Sequence, residues 1–208
     1  MFELSPLLAY ETGVHLGDGN LTSKEEWNLF RVTYAGNRLA DSKYFEFILP
    51  GIIRAVYGKE PRIYHPKGEN TILVVLNSKD VTRFKMETLG LPSGNKKKLQ
   101  KFPRVLVQKY PADLMRGLAD TDFCIYMNKN EPRIEGSFCN PHFASEISII
   151  LGRLGITHQV RALKSHSKYD EFRITICGKK QLKLWMQKVG FYNPKHLDKV
   201  NHIFPASD

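Results

Sequence analysis

Arg116-Gly117-Leu118-Ala119-Asp120-Thr121-Asp122 decides the reading of this chain, because an earlier stretch, Thr12-Gly13-Val14-His15-Leu16-Gly17-Asp18-Gly19, repeats its design. Each carries small residues four apart, Gly13 and Gly17 in the first, Gly117 and Thr121 in the second. Each ends in an acid, Asp18 or Asp122. Helix-start signals precede both, Ser5-Pro6 and Pro111-Ala112-Asp113. Residues i and i+4 share one helix face, so small side chains there let two helices approach backbone to backbone. Gly13, Gly17, Gly117 and Thr121 are therefore the expected helix interface, and packing across it brings Asp18 and Asp122 together at one end. A close carboxylate pair is a natural site for a divalent cation. Gly-Asp-Gly or Asp-Thr-Asp alone means little, since most such tripeptides are turns; the weight lies in the duplication.

The duplication extends beyond these stretches. Residues 70–91 and 170–191 align without a gap: Ile72, Val74 and Leu76 fall on Phe172, Ile174 and Ile176, and Leu89-Gly90-Leu91 falls on Val189-Gly190-Phe191. Asp122 follows Asp18 by 104 residues. Apolar periodicity predicts helix over 4–16, broken by Gly17-Asp18-Gly19-Asn20, then strands near 20–23 and over 29–35. An amphipathic helix over 41–57, interrupted by Pro50, follows, then strands over 62–65 and 71–77 and a helix capped by Ser78 or Asp80. Helix over 112–119, strands over 122–127 and 133–138, helix over 141–154, strands over 159–163 and 171–176, and helices over 178–189 and 194–200 make the second half. The fold class is α+β, two pseudo-symmetric αββαββα repeats at 1–100 and 111–208, with 101–110 as the linker.

Lys and Arg number 31 against 21 Asp and Glu, a formal charge of +10 over 208 residues, which points to a polyanionic partner, nucleic acid ahead of anionic membrane. No apolar run reaches the length of a membrane span and no signal-peptide order opens the chain, so an intracellular, cytoplasmic protein with no membrane partner is expected. Cys124, Cys139 and Cys177 fit no metal-ligand spacing and read as reduced thiols.

With helices on one face of the strands, the other face presents Arg31, Thr33, Arg62, Tyr64, Gln159, Arg161, Arg173 and Thr175. That set is basic and without acids enough to neutralise it; the alternative to a nucleic-acid surface is an ordinary solvated sheet face. Arg and Gln read base edges, while Lys and Thr reach phosphates. Asp18 and Asp122 then hold Mg²⁺ (or Mn²⁺) over the scissile phosphates, and a lysine neutralises developing charge or orients the attacking water. Lys96, after Leu-Gly-Leu, and Lys195, after Val-Gly-Phe, are the matching candidates; Lys96, Lys97 and Lys98 otherwise read as a solvated loop.

These motifs resemble those of the LAGLIDADG homing endonucleases in their single-chain, two-repeat form, the penultimate acid of the motif falling on Asp18 and Asp122. Further resemblance to archaeal members lies in His15-Leu16-Gly17-Asp18-Gly19, in Leu89-Gly90-Leu91-Pro92-Ser93-Gly94-Asn95-Lys96, and in Val189-Gly190-Phe191 ahead of Asn193-Pro194-Lys195. The resemblance covers nearly the whole chain. It implies a saddle-shaped antiparallel sheet on double-stranded DNA, Gly17 and Thr121 beside the acids in the metal site, and Mg²⁺-dependent double-strand cleavage leaving short 3′ overhangs. Departures are Phe123 where the second motif ends in Gly, expected to disturb the turn beside Asp122, and Glu11-Thr12 and Met115-Arg116 in place of the small leading pair. Met1-Phe2 at the start and no terminal His-Asn fit a free-standing or intron-encoded enzyme, acting as a monomer, better than an intein. The rival reading is a non-catalytic binder on the same scaffold, a DNA-binding regulator or an intron-RNA maturase; a remnant with neither activity is the third.

Overall fold

The computed structural model describes residues 2–96, 99–164 and 170–205, so Lys97 and Lys98 of the basic loop lie outside it. Helix α1 (Pro6–Asp18) begins where the Ser5 hydroxyl accepts the Leu8 amide at 3.2 Å, with Pro6 fixing the first turn. It runs two residues past the expected break, because Gly17 stays helical under Thr121 of the other repeat. Strands β1 (Gly19–Lys24) and β2 (Leu29–Asn37) follow. Pro50 has no N–H for the Glu46 carbonyl, and the helix entry widens: the Leu49 amide reaches back to the Tyr44 carbonyl in a π turn over Tyr44–Ile48 before α2 (Leu49–Tyr57). Strands β3 (Arg62–Tyr64) and β4 (Thr71–Asn77) lead to α3 (Lys79–Arg83), which Ser78 caps, and to a second widened turn over Phe84–Thr88.

The connector is not irregular. Pro103 starts a helix, α4 (Arg104–Lys109), because Leu106 and Val107 bury on one side of it. Then come α5 (Pro111–Asp122), β5 (Phe123–Asn128), β6 (Glu131–Phe138), α6 (Pro141–Arg153), β7 (Gln159–Leu163), β8 (Glu171–Cys177), α7 (Lys179–Lys188) and α8 (Pro194–Ile203).

The eight strands form two four-stranded antiparallel sheets with one order in both, β1-β2-β4-β3 and β5-β6-β8-β7. The second half is thus a copy of the first in topology as well as in sequence. Alternation sends Leu21, Val32, Tyr34, Ile72, Val74 and Leu76 inward in the first sheet, and Ile125, Ile134, Phe138, Ile174 and Ile176 in the second. Phe123 does not disturb its turn. Its backbone (φ −106, ψ 155) is as extended as that of Gly19 (φ −81, ψ 150), and its ring packs between Phe138 and Trp185. Gly19 is small for a different reason: a Cβ there would sit 2.5 Å from the His15 Cα. No helix among the described residues is long and apolar enough to cross a membrane.

Candidate metal centre and nucleic-acid interface

Helices α1 and α5 pack with their backbones in contact. A Cβ on Gly13 would strike the Leu114 carbonyl oxygen and lie 2.8 Å from the Leu118 nitrogen. A Cβ on Gly117 would strike the Tyr10 carbonyl oxygen and lie 2.8 Å from the Val14 nitrogen. The two contacts are one contact related by a pseudo-two-fold axis, since Tyr10 and Val14 precede Leu114 and Leu118 by the same 104 residues that separate the acids. Gly17 and Thr121 meet at the end of the same face, where a Cβ on Gly17 would also lie 3.2 Å from the Asp122 Cγ. All four residues predicted for the interface are in it.

The packing delivers Asp18 and Asp122, both half-buried, to one end of the helix pair. Burial, and then the charge of Asp122, push the Asp18 carboxyl up to about 7; the ammonium groups of Lys96 and Lys195 pull the other way. Burial pushes Asp122 up to about 6 against the same two lysines. The two ammonium groups offset this only in part, since both carboxyls stay above the ordinary carboxylate range. The fold therefore holds two carboxylates whose ionised forms the protein alone does not satisfy. That donor set suits Mg²⁺, which takes one or two carboxylates and fills its other positions with waters and phosphate oxygens. No group of three or more Asp, Glu, His or Cys stands ready as an all-protein cage among the described residues.

Both predicted lysines reach the centre, by different routes. The Lys96 ammonium donates to the carbonyls of His15 at 3.2 Å, Leu16 at 2.9 Å and Gly17, capping the negative end of α1; burial lowers its pKa. Of the two residues expected beside the acids, Gly17 offers its carbonyl to Lys96, and the Thr121 hydroxyl donates to the Leu118 carbonyl at 2.9 Å. Lys195 instead pairs with Asp41 at 2.7 Å. The two lysines line separate depressions of about 210 and about 170 Å³, Lys96 beside Asp122, Ser137 and Asn140, and Lys195 beside Leu39, Ser42 and Tyr44.

Several groups behind the centre escape a sequence reading. Glu11 and Lys85 are wholly buried as an ion pair at 2.8 Å, with the hydroxyls of Tyr34 and Tyr57 also donating to Glu11. Asp120 accepts from the Tyr10 hydroxyl at 2.6 Å and from the Tyr192 and Asn193 amides. The Asn193 side chain donates to the Asp120 carbonyl and to Asp41, at 3.0 and 3.1 Å. A signal for the first cluster did exist: at the repeat offsets, Glu11 falls on Met115 and Lys85 on Trp185, a charge on an apolar residue both times.

The open sheet faces are unequal. The first carries Arg31, Thr33, Arg62 and Tyr64 as expected, with Asn20, Thr22, Lys24 and Asn77 by register, and no acid; Arg31 donates to Asn77 at 2.9 Å. The second brings together Gln159, Arg161, Arg173 and Thr175, but also Glu131, Glu135 and Glu171. Arg173 pairs with Glu171 at 2.9 Å and Glu135 at 3.6 Å. Thr175 is buried and donates to Glu135 at 3.2 Å. The expectation of a face short of acids is thus corrected for the second repeat: β6 and β8 alternate so that Glu135 and Glu171 stand beside the basic residues. Arg161, which donates to Gln159 at 3.0 Å, is exposed.

Residues 109–190 match the family model of the LAGLIDADG-like domain. The uncharacterized protein MJ0398 of Methanocaldococcus jannaschii is 22% identical over 215 residues, covering 98% of this chain and 73% of that protein. Among solved structures, I-DmoI in complex with DNA and Ca superposes with a TM-score of 0.67 at 14% identity, over 95% of this chain and 97% of that one. The N-terminal LAGLIDADG domain of WhiA gives 0.56 at 12% identity, over 91% and 86%. A mutant of I-SmaMI gives 0.55 at 9% identity, over 98% and 94%.

Proposed function

Because this chain carries a LAGLIDADG-like domain and the two-repeat fold of I-DmoI, we propose that it is a site-specific DNA endonuclease that breaks both strands at a long, asymmetric or pseudo-palindromic site. The observation that carries the reading is the close, half-buried pair of carboxylates at the end of the two packed helices. A protein that only binds DNA gains nothing from forcing Asp18 and Asp122 together against burial and mutual repulsion. I-DmoI is a homing endonuclease and was solved with DNA and Mn and with DNA and Ca, which supports a divalent cation, Mg²⁺ or Mn²⁺, for this chain too.

Asp18 and Asp122 are the residues that would hold the cation. When bound, it supplies an activated water and stabilises the leaving oxygen. Lys96 and Lys195 both bring positive charge to bear on the pair, where negative charge grows during phosphodiester hydrolysis. Arg31, Arg62 and Arg161 offer the exposed guanidinium groups that engage a duplex on the open sheet faces. One chain supplies both acids, so it acts as a monomer.

The test is cleavage of a randomised plasmid library with Mg²⁺, repeated with Asp18→Asn. Linearised plasmids sharing one sequence, absent with the variant, support the endonuclease. Tight, salt-sensitive binding with no cleavage of any plasmid favours the rival, a regulator on DNA or a maturase on intron RNA.

A further inference from the structure

The two halves of the centre are not chemically equal, although the sequence repeat makes them look so. Lys96 is anchored by backbone carbonyls at the end of α1. Lys195 is anchored by a side chain: Asp41, itself buried, pairs with its ammonium at 2.7 Å. Asp41 is fixed in turn by the Asn193 side chain at 3.1 Å and the Asn37 amide at 3.4 Å. Asn193 also grips the end of α5 through the Asp120 carbonyl, so the tether is built onto the helix that ends in Asp122. An anchored ammonium loses less freedom on meeting a phosphate than a free one, and small displacements of such a group are costly in rate.

We propose that Asp41 is a positioning residue for Lys195, and that it serves cleavage of one DNA strand only. This rests on the endonuclease reading above. Lys96 and Lys195 line different depressions, so each is placed to attend one scissile phosphate. Loss of the Asp41 carboxylate releases Lys195 and leaves the Lys96 contacts to the α1 carbonyls as they were.

The experiment uses the full chain, Mg²⁺ and a supercoiled plasmid recovered from the library selection, under single-turnover conditions. Asp41→Asn is expected to slow one strand by about 10- to 100-fold, so that nicked circle accumulates with the nick always in the same strand. Lys195→Met should nick that same strand, Lys96→Met the other, and the Asp41→Asn/Lys195→Met pair should be no slower than Lys195→Met alone. Asp41→Glu, which keeps the charge, should restore part of the rate. Equal slowing of both strands, or additive losses in the double variant, overturns the proposal. A second readout needs no DNA: acetylation of surface amines with an N-hydroxysuccinimide ester, mapped by mass spectrometry. Lys195 should be protected in the wild type and exposed in Asp41→Asn, with Lys96 unchanged. Unchanged Lys195 labelling also overturns it. Altered labelling with no plasmid cleaved by the wild type retains the tether and fails the endonuclease reading instead.

Discussion

The Tyr10 hydroxyl on α1 donates to Asp120 on α5 at 2.6 Å, and the positions related to these two by the repeat are Leu114 and Leu16. One side of the helix pair is sealed by a charge-assisted hydrogen bond, the other by two leucines. Burial pushes the Asp120 carboxyl up to about 6, against the pull of Tyr10 and the Tyr192 and Asn193 amides. Its folded pKa lies above the unfolded one, so the unfolded chain gives up its proton first. Stability is therefore expected to fall as pH rises from about 4 to about 6 and then to level off, by on the order of 3 kcal/mol for this group. Urea unfolding of Asp120→Asn across that range should show a shallower slope. Tyr10→Phe should cost about 1.5–3 kcal/mol at neutral pH, where the carboxylate loses a donor.

The same sign applies with more force at the Asp18 and Asp122 pair. Asp18 is held up to about 7 and Asp122 to about 6, so at pH 8 both are ionised at the expense of the fold. Asp18→Asn should raise stability at pH 8, without divalent cation, by on the order of 2–4 kcal/mol while abolishing cleavage. Added Mg²⁺ should raise the melting temperature of the wild type by preferential binding to the folded state, and that of the variant less. Chelation should return the wild type to its lower value. A variant less stable than the wild type in chelator would show that the pair is not strained.

What could be read in advance was whatever repeats. Small residues at four-residue spacing on two helices place Gly13, Gly17, Gly117 and Thr121 in one interface, and strand alternation picks out the inward faces. Helix ends depart from local preference where tertiary contact prevails, as at Gly17, which stays helical against Thr121. The tethers behind the centre stayed hidden because they join residues far apart in sequence: Glu11 to Lys85, Asp41 to Lys195, Tyr10 to Asp120. Strand pairing was the other missing fact, for only the β6–β8 register puts Glu135 opposite Thr175.

Glu11 and Lys85 invite a test in which the second repeat is the control. Both side chains are wholly buried, and the equivalent positions hold Met115 and Trp185, so the fold does not require a charge at either. Removing Glu11 leaves the buried Lys85 ammonium without its counter-charge, and removing Lys85 leaves the Glu11 carboxylate with only the Tyr34 and Tyr57 hydroxyls. Lys85→Met alone should cost about 3–5 kcal/mol, and Glu11→Met alone a similar amount. The double variant should be less destabilised than the sum of the two, and close to the wild type if the cavity repacks. Chemical unfolding of all four proteins gives the coupling energy; additivity would mean that the pair is not a unit.

The unequal sheet faces predict unequal contributions to DNA affinity. Arg31 and Arg62 stand on a face with no acid, whereas Arg173 is already paired with Glu171 and Glu135. Each phosphate contact that releases a condensed counterion adds roughly one unit to the slope of log affinity against log salt. Arg31→Ala and Arg62→Ala should each weaken binding and flatten that slope by about one unit. Arg173→Ala should change the slope little, because its charge is spent within the protein. Glu135→Gln should act in the opposite direction, removing a charge that repels the backbone and leaving Arg173 with Glu171 alone, so that affinity rises and the slope steepens. Fluorescence anisotropy with a labelled duplex between about 50 and 300 mM salt measures all four variants, and an Arg173 effect as large as that of Arg31 would place the duplex on both faces alike.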